Sequence, residues 1–173
     1  HKLWCDYIYL DTDERRRFAQ VSHEYLIEQL QFEPFATAQK SAAINFNHPV
    51  KELVLTGAWA NGAFAVLDGS LATTMTLKLN GHERFAPRPL TYFTTAQVWQ
   101  HHTGEGGFID NSIAVYSFAL KPEEHQPSGT CNFSRIDNAQ LSFSAPMNAF
   151  DVYAINYNVL RIMSGMGGLA YSN

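Results

Sequence analysis

The fold of this chain is best judged from residues 112–137, which read SIAVYSFALKPEEHQPSGTCNFSRID. Apolar residues such as Ile113 and Val115 alternate with their neighbours at its start, as they do in a β-strand. A connection with two prolines and a glycine follows, and a second short apolar run contains Phe133 and Ile136. The pattern predicts a strand, an ordered loop and a strand, and the loop is too specific in composition to be a mere linker.

Short strands separated by turn signals extend this pattern over most of the chain. Residues 73–79 alternate cleanly and lead into Asn80-Gly81, a dipeptide typical of tight hairpin turns. The long closing run 149–163 mixes apolar with polar residues, which predicts a bulge near Asn156. Further strands are predicted at residues 3–10, 43–47, 50–59, 113–120, 131–136 and 139–145. The pattern of residues 23–32 fits both a strand and a helix, because Leu26 and Leu30 have helical spacing, and a strand is preferred. Roughly eight short strands with long irregular connections predict an all-β jelly-roll sandwich.

The remaining segments are predicted to be one short helix and several connections. Residues 12–19 form the helix, with Asp11 or Thr12 as its cap and acidic residues in its first turn. Its three consecutive arginines, residues 15–17, are typical of a solvated helix face. Proline 34 predicts a connector over residues 33–37. Irregular structure, a hairpin-like loop and a flexible tail are predicted at residues 85–107, 62–69 and 165–168.

Composition excludes several classes of function. The formal net charge is −4, and no cluster of Lys and Arg exists beyond residues 15–17, which argues against direct nucleic-acid binding. No apolar run approaches the ~18 residues that a membrane span needs. Two cysteines, Cys5 and Cys131, make no disulfide framework. The aromatic share of 13% favours sheets and large interfaces over helical bundles.

No constellation of residues predicts catalysis or a cofactor. His101 and His102 could contribute to a two-histidine, one-carboxylate metal site, but adjacent residues on a strand point to opposite faces. Cys131 has no neighbouring histidine and is interpreted as a small buried filler. Glu123 and Glu124 are interpreted as solvated charges or interface contacts. Exposed aromatic residues could mark either a carbohydrate-binding surface or subunit contacts, and these are Trp59, Phe64 and Trp99.

Several separate blocks of sequence resemble the major capsid proteins of nucleocytoplasmic large DNA viruses, of the phycodnavirus and iridovirus type. They occur in the order of that family and together contain 71 of the 173 residues. The blocks are YIYLDTDERRRFAQ at 7–20 with HEYLIEQ at 23–29, NFNHPVKEL at 45–53, LNGHERF at 79–85, residues 116–137, and DVYAINYNVLRI at 151–162.

The resemblance implies a double jelly roll of which this chain is similar to the C-terminal portion. Residues 1–32 would be the truncated end of the first jelly roll, residues 33–41 a linker, and residues 42–173 the second jelly roll. Residues 3–10 and 26–32 are then expected to present open strand edges. Residues 58–73 and 103–111 fit the family less well.

The resemblance also implies a structural protein without enzymatic activity, cofactor or metal. Its partners would be itself, as a homotrimer, then neighbouring capsomers and minor capsid proteins, with no direct nucleic-acid contact. Trimers would form pseudo-hexagonal capsomers of an icosahedral shell, assembled inside the host cell. The alternative is a carbohydrate-binding jelly-roll domain. We expect a subunit or domain contact at one loop, here named the contact loop, which consists of Pro122, Glu123, Glu124, His125, Gln126, Pro127, Ser128 and Gly129.

Overall fold

The computed structural model describes residues 2–36, 39–57, 59–60, 63–64, 67, 73–104 and 113–172, with only the backbone at 59–60 and 63–64. Most of the hairpin-like loop predicted at 62–69 and most of the loop at 103–111 therefore lie outside the described residues, as do the side chains of Trp59 and Phe64. No helix among the described residues is long and apolar enough to span a membrane.

The regular elements are mostly strands. The helices are α1 (Thr12–Gln20) and α2 (Gln97–His101), together with a π-helical turn (Tyr92–Ala96) and a 3₁₀ turn (Phe133–Arg135). The strands are β1 (His23–Phe35), β2 (Gln39–Ile44), β3 (Pro49–Gly57), β4 (Trp59–Ala60), β5 (Ala63–Phe64), β6 (Thr74–Leu79), β7 (His82–Glu83), β8 (Arg88–Pro89), β9 (Ile113–Ser117), β10 (Cys131–Asn132), β11 (Ala139–Met147), β12 (Phe150–Met163) and β13 (Met166–Leu169).

The strands form two main sheets. In the first sheet the order is β1, β12, β3, with β9 and β10 also paired to β3 and with β13 paired to β12. In the second sheet the order is β2, β11, β6, and both β7 and β8 pair with β6. From β2 to β12, the strands of five or more residues alternate between the sheets, which is the connectivity expected of a jelly roll.

The chain divides into two compact units, and residues 28–157 form the larger one. Its core lies between the two sheets. Phe150 of the first sheet is fully buried and meets Phe143 of the second sheet, with their ring centroids 5.5 Å apart. Leu55 and Leu141 are members of the same buried cluster. Full burial of each such side chain stabilises the fold by about 1.5–3 kcal/mol.

The central strand β3 is buried along almost its whole length. It pairs with β12 on one side, from Phe150 opposite Gly57, and with β9 on the other, from Ser117 opposite Glu52. The burial includes two adjacent charged residues, Lys51 and Glu52, which are only 3% and 4% exposed. Buried charges must be paired, and their partners are described below.

The bulge predicted near Asn156 is confirmed. The register between β12 and β3 shifts between Ile155 and Asn156. The side chain of Asn156 is fully buried, and its Oδ1 accepts a hydrogen bond of 3.1 Å from Nε2 of Gln31. Gln31 also exchanges hydrogen bonds with the backbone of Asn47, of 2.9 Å and 2.6 Å. The polar group at the bulge is therefore satisfied inside the sandwich.

The hairpin predicted at Asn80-Gly81 is also confirmed. Both residues have positive φ angles, 50° and 81°, as the tight turn between β6 and β7 requires. Oδ1 of Asn80 accepts hydrogen bonds from the backbone N–H groups of Asp137 and Asn138, at 2.9 Å and 3.0 Å. The turn therefore also holds the segment that leads into β11.

The smaller unit consists of residues 1–27 and 158–173. The predicted helix is confirmed as α1, and Oδ1 of its cap Asp11 accepts from the N–H of Glu14 at 2.9 Å. Within this unit Arg161 and Glu24 form an ion pair of 2.6 Å. The predicted strand at residues 3–10 is wrong: this segment has no strand pairing, and its large apolar side chains are exposed. Alternation alone does not make a strand when no partner supplies the ladder.

Three further interpretations of the sequence are corrected. Residues 33–35 belong to β1 and not to a connector, because β1 ends its sheet and an edge strand tolerates the missing N–H of Pro34. Residues 166–169 form β13 and not a flexible tail, because Ser164 and Gly165 turn the chain back onto β12 with positive φ angles. Residues 92–101 are helical, so the chain has more than one short helix.

Phe150→Ala should destabilise the sandwich by about 3–5 kcal/mol, because it leaves a cavity between the two sheets. Phe32→Ala is the matched control, since Phe32 is half-exposed and its ring centroid lies 4.9 Å from that of Tyr153. Urea unfolding of the purified protein should show a much larger loss for Phe150→Ala. Equal losses would contradict the assignment of Phe150 to the core.

Candidate functional site

The contact loop joins β9 to β10 and stands out from the larger unit as a closed, internally bonded structure. Residues 123–127 are exposed, whereas Pro122 is buried and fixes the loop at its start. Across the base, the N–H of Lys121 donates to Oγ of Ser128 at 2.9 Å. Nζ of Lys121 also lies 3.0 Å from Oε1 of Glu124. The loop therefore presents a defined surface, and two of its predicted members, Pro122 and Ser128, serve to hold its shape.

Gly129 closes the loop in a way that only glycine permits. Its φ angle is +147°, and a Cβ placed on it would lie 2.6 Å from the carbonyl oxygen of Phe118. Real Cβ atoms do not approach backbone oxygens so closely. The end of the loop is therefore pressed against the segment that leaves β9.

The base of the loop is attached to the central strand and to α2. The N–H groups of Phe118 and Ala119 both donate to the carbonyl oxygen of Lys51 on β3, at 2.9 Å and 3.2 Å. Nδ1 of His101 lies 3.0 Å from the carbonyl oxygen of Leu120. The orientation of the loop therefore depends on β3 and on the end of α2.

The buried cation of β3 is paired with a carboxylate that also faces the loop. Nζ of Lys51 lies 2.6 Å from Oε1 of Glu28 on β1 and 5.6 Å from the ring centre of Tyr157. The same oxygen of Glu28 is 3.8 Å from Nδ1 of His125 in the contact loop. Glu28 thus shares its charge between the central strand and the loop.

The buried anion of β3 is connected to the loop through one imidazole ring. Nε2 of His102, which follows α2, lies 2.9 Å from Oε2 of Glu52, and Nδ1 of the same ring lies 3.2 Å from Oε1 of Glu123. This inner contact is an ion pair without hydrogen-bond geometry, since neither Nε2 nor Oε2 has a hydrogen-bond partner among the described residues. Oε1 of Glu123 also accepts from the N–H of Thr103 at 3.1 Å. We refer to Glu52, His102 and Glu123 as the triad.

The two carboxyl groups of the triad have opposite electrostatic environments. Burial raises the pKa of Glu52 above its ordinary value, against the charges of His102 and Lys51, which lower it. The hydrogen bond from the Thr103 backbone lowers the pKa of Glu123. Glu52 therefore holds a proton to higher pH than Glu123 does.

Sequence reasoning predicted an ordered loop at the contact-loop residues and missed the side chains that support it. Lys51, Glu52 and Glu28 were given no role, although two adjacent charges inside an apolar strand are a signal that both need buried partners. His102 was considered only as a metal ligand, on the premise that it lay on a strand. It follows a helix, and its two ring nitrogens face two different carboxylates.

The other candidate residues are not brought together. Among the described residues, no cluster of His, Cys, Asp and Glu could hold a metal ion. Cys131 is partly buried against the core, and burial raises the pKa of its thiol, which fits the predicted role as a filler. Trp99 lies on α2 and is 80% exposed. Of the three aromatic residues considered for carbohydrate binding, it is the one whose side chain the structure describes.

The domain is a jelly roll, with two antiparallel sheets between which the strands alternate and with a well-supported loop. Residues 14–168 match the family of the large eukaryotic DNA virus major capsid protein, and the chain belongs to this family. It is 54% identical to the major capsid protein of Pyramimonas orientalis virus, over 99% of this chain and 48% of that protein. It is 42% identical to the major capsid protein of Paramecium bursaria Chlorella virus 1, over 99% of this chain and 54% of that protein.

Solved structures agree with this assignment. The chain resembles the quasi-atomic model of the PBCV-1 virus capsid with a TM-score of 0.78 and 38% identity, over 96% of this chain and 56% of that one. The Faustovirus major capsid protein shares the fold, with a TM-score of 0.54 at 16% identity. The chain spans about half the length of the relatives that it matches.

Gly129→Ala should destabilise the larger unit more than Gly81→Ala does. Both glycines have positive φ angles, so each substitution strains the backbone by about 1–2 kcal/mol. A Cβ at position 81 meets nothing within 4 Å, whereas at position 129 it overlaps the Phe118 carbonyl oxygen. Urea unfolding of both variants checks this. A smaller loss for Gly129→Ala would contradict the described closure of the loop.

Glu52→Gln should change how stability depends on pH. Because the pKa of Glu52 is raised on folding, the folded state binds more protons, and stability falls as pH rises from about 4.5 through the raised pKa. The free energy of unfolding of the parent, minus that of Glu52→Gln, should therefore decrease over this interval. Urea titrations at several pH values measure the difference.

Glu123→Gln is the control of opposite sign for that experiment. The pKa of Glu123 is lowered on folding, so its contribution is present above the ordinary value and is lost as pH falls through the folded pKa. The free energy of unfolding of the parent, minus that of Glu123→Gln, should therefore increase with pH. This difference should remain small, because Glu123 is exposed. The same trend in both variants would contradict the environments described for the triad.

Proposed function

We propose that this chain is part of a major capsid protein, a structural subunit of the icosahedral shell of a large DNA virus, located in the virion. The observation that carries the proposal is the 54% identity over 99% of the chain to a protein named as a major capsid protein. The fold supports it, since a buried core between two sheets and a braced exposed loop are what a rigid building unit needs. No enzymatic activity, cofactor or direct nucleic-acid partner is part of the proposal.

The subunits assemble as homotrimers, and two jelly rolls in each polypeptide give the trimer a pseudo-hexagonal outline. In this scheme residues 1–32 end the first jelly roll, residues 33–41 connect, and residues 42–173 form the second, with residues 33–35 as strand within the connection. Trimers contact neighbouring capsomers and minor capsid proteins, and assembly takes place inside the host cell. The length of the relatives, about twice that of this chain, supports two such domains.

The contact loop provides one surface between subunits. Three observations support this role. Residues 123–127 are exposed and carry two carboxylates close to the cation of Lys121, so they can pair with an opposing charged patch. The base of the loop is fixed by Gly129 and Ser128, so little conformational entropy is lost when it docks. Lys51 and Glu52 on β3 pair with Glu28 and His102, and these two partners face His125 and Glu123 of the loop.

An exchange of charges within the loop tests this role without removing an interaction. In Lys121→Glu/Glu124→Lys the ion pair inside the loop is kept, whereas a partner meets reversed charges. We expect unchanged folding and at least about tenfold weaker trimer association, which corresponds to 1.4 kcal/mol. Light scattering of the full-length polypeptide over a concentration series measures the association.

The matched control is Lys78→Glu/Glu83→Lys. These residues form a comparable pair of 3.9 Å between β6 and β7, outside the contact loop. The control should form trimers like the parent. Unchanged trimers in the loop variant would exclude the loop as a contact, and a monomeric full-length parent would contradict the proposed trimer itself.

A further inference from the structure

We propose that the triad is a proton-dependent latch of the contact loop: it holds the loop against β3 while its three side chains share two protons, and it releases Glu123 when one of them is lost. The inference deepens the proposed function and rests on it where subunit contacts are concerned. The latch itself is formed by side chains of the larger unit alone, so its pH response can be measured separately from the subunit contact.

The arrangement of the ring between two acids is the first step of the argument. The imidazole of His102 has a carboxylate oxygen near each nitrogen, at 2.9 Å on the side of Glu52 and at 3.2 Å on the side of Glu123. Glu52 is buried on the central strand, and His102 is largely buried. Water therefore cannot easily take the place of Glu52 on the inner side of the ring.

Counting protons gives the second step. A neutral imidazole has one N–H, so its other nitrogen presents a lone pair. With both carboxyl groups ionised and the ring neutral, that lone pair would face a carboxylate oxygen about 3 Å away, the spacing of a charge-assisted hydrogen bond without its proton. Both contacts are attractive only when two protons are shared, either one on each ring nitrogen or one on the ring and one on Glu52.

The third step identifies the contact that fails when a proton is lost. Glu52 is fixed within β3 between two neighbouring strands and cannot leave the ring. Glu123 lies on the exposed loop, and its side chain is 40% exposed, so it can move into water. The bond from the Thr103 N–H to Glu123 is then lost as well. Loss of a proton thus frees the loop and leaves the sheet intact.

The surrounding charges determine how sharply the latch responds. Lys51 on β3 favours the ionised form of Glu52, and Glu28 on β1 offsets this by pairing with Lys51. The charged and titratable groups that face the triad or its loop from the packed elements are Lys51 on β3, Glu28 on β1, Tyr157 on β12, His101 on α2, and Lys121, Glu124 and His125 beside or within the loop. Histidine is the residue type whose charge changes between pH 5 and 8, so a test of the latch compares pH values on both sides of neutrality.

Hydrogen exchange of the full-length trimer at pH 6 and pH 8, corrected for the intrinsic rate, tests the latch. In the parent, the amide of Thr103, which donates to Glu123 in the closed loop, should lose protection by about tenfold at pH 8, the order expected when a hydrogen bond to a charged group is lost. In His102→Gln this pH dependence should disappear. In Glu123→Gln protection should persist at pH 8, because the amide can donate to an unprotonated ring nitrogen.

His125→Gln is the matched control, because it removes another histidine–glutamate contact of the same loop, at 3.8 Å from Glu28, and leaves the triad intact. It should keep the tenfold response. Equal protection of the parent at both pH values, or a response retained by His102→Gln, would overturn the latch. Trimer dissociation, followed in parallel by light scattering, reports the contact role separately: a pH-dependent loop on a pH-independent trimer supports the latch and contradicts the loop as a subunit contact.

Discussion

The burial of two opposite charges side by side on β3 is the constraint on which the rest of the larger unit depends. A central strand covered on both sides cannot leave Lys51 or Glu52 unpaired, since an uncompensated buried charge costs several kcal/mol. Lys51 is therefore matched by Glu28 on β1, and Glu52 by the imidazole of His102. Each partner in turn faces a residue of the contact loop, so pairing in the sheet also determines where the loop lies.

This dependence explains how a loop without regular secondary structure can keep a defined shape. Its base is bonded to the backbone of β3 and to the end of α2, and Gly129 presses its far end against the residue after β9. Residues that form a contact are most effective when other residues lock them in place. The similarity to capsid proteins covers residues 14–168 and so includes the strand, the helix and the loop together.

The sequence allowed most of the sandwich to be predicted, because its signals were local. Alternation in β6, the Asn80-Gly81 turn and the bulge near Asn156 each need only neighbouring residues, and the structure confirms all three. The helical residues 92–101 were missed because the stretch is short and no side chain caps its start. The triad could not be foreseen, since Glu52, His102 and Glu123 come from distant segments that only the folded sheet brings together.

The alternation of strands between two sheets has a consequence for the order of events during synthesis. β11 pairs with both β2 and β6, and Leu141 lies opposite Ala42, about a hundred positions earlier in the chain. The chain between two such distant strands must be brought together before their pairing can stabilise the fold, so sandwiches of this kind fold slowly. Until then, apolar strand edges are exposed. The charged partners on β1, α2 and β3 likewise meet only after closure. Folding of the single chain must therefore precede the completion of the loop, and in the proposed assembly a half-folded subunit would lack that contact surface.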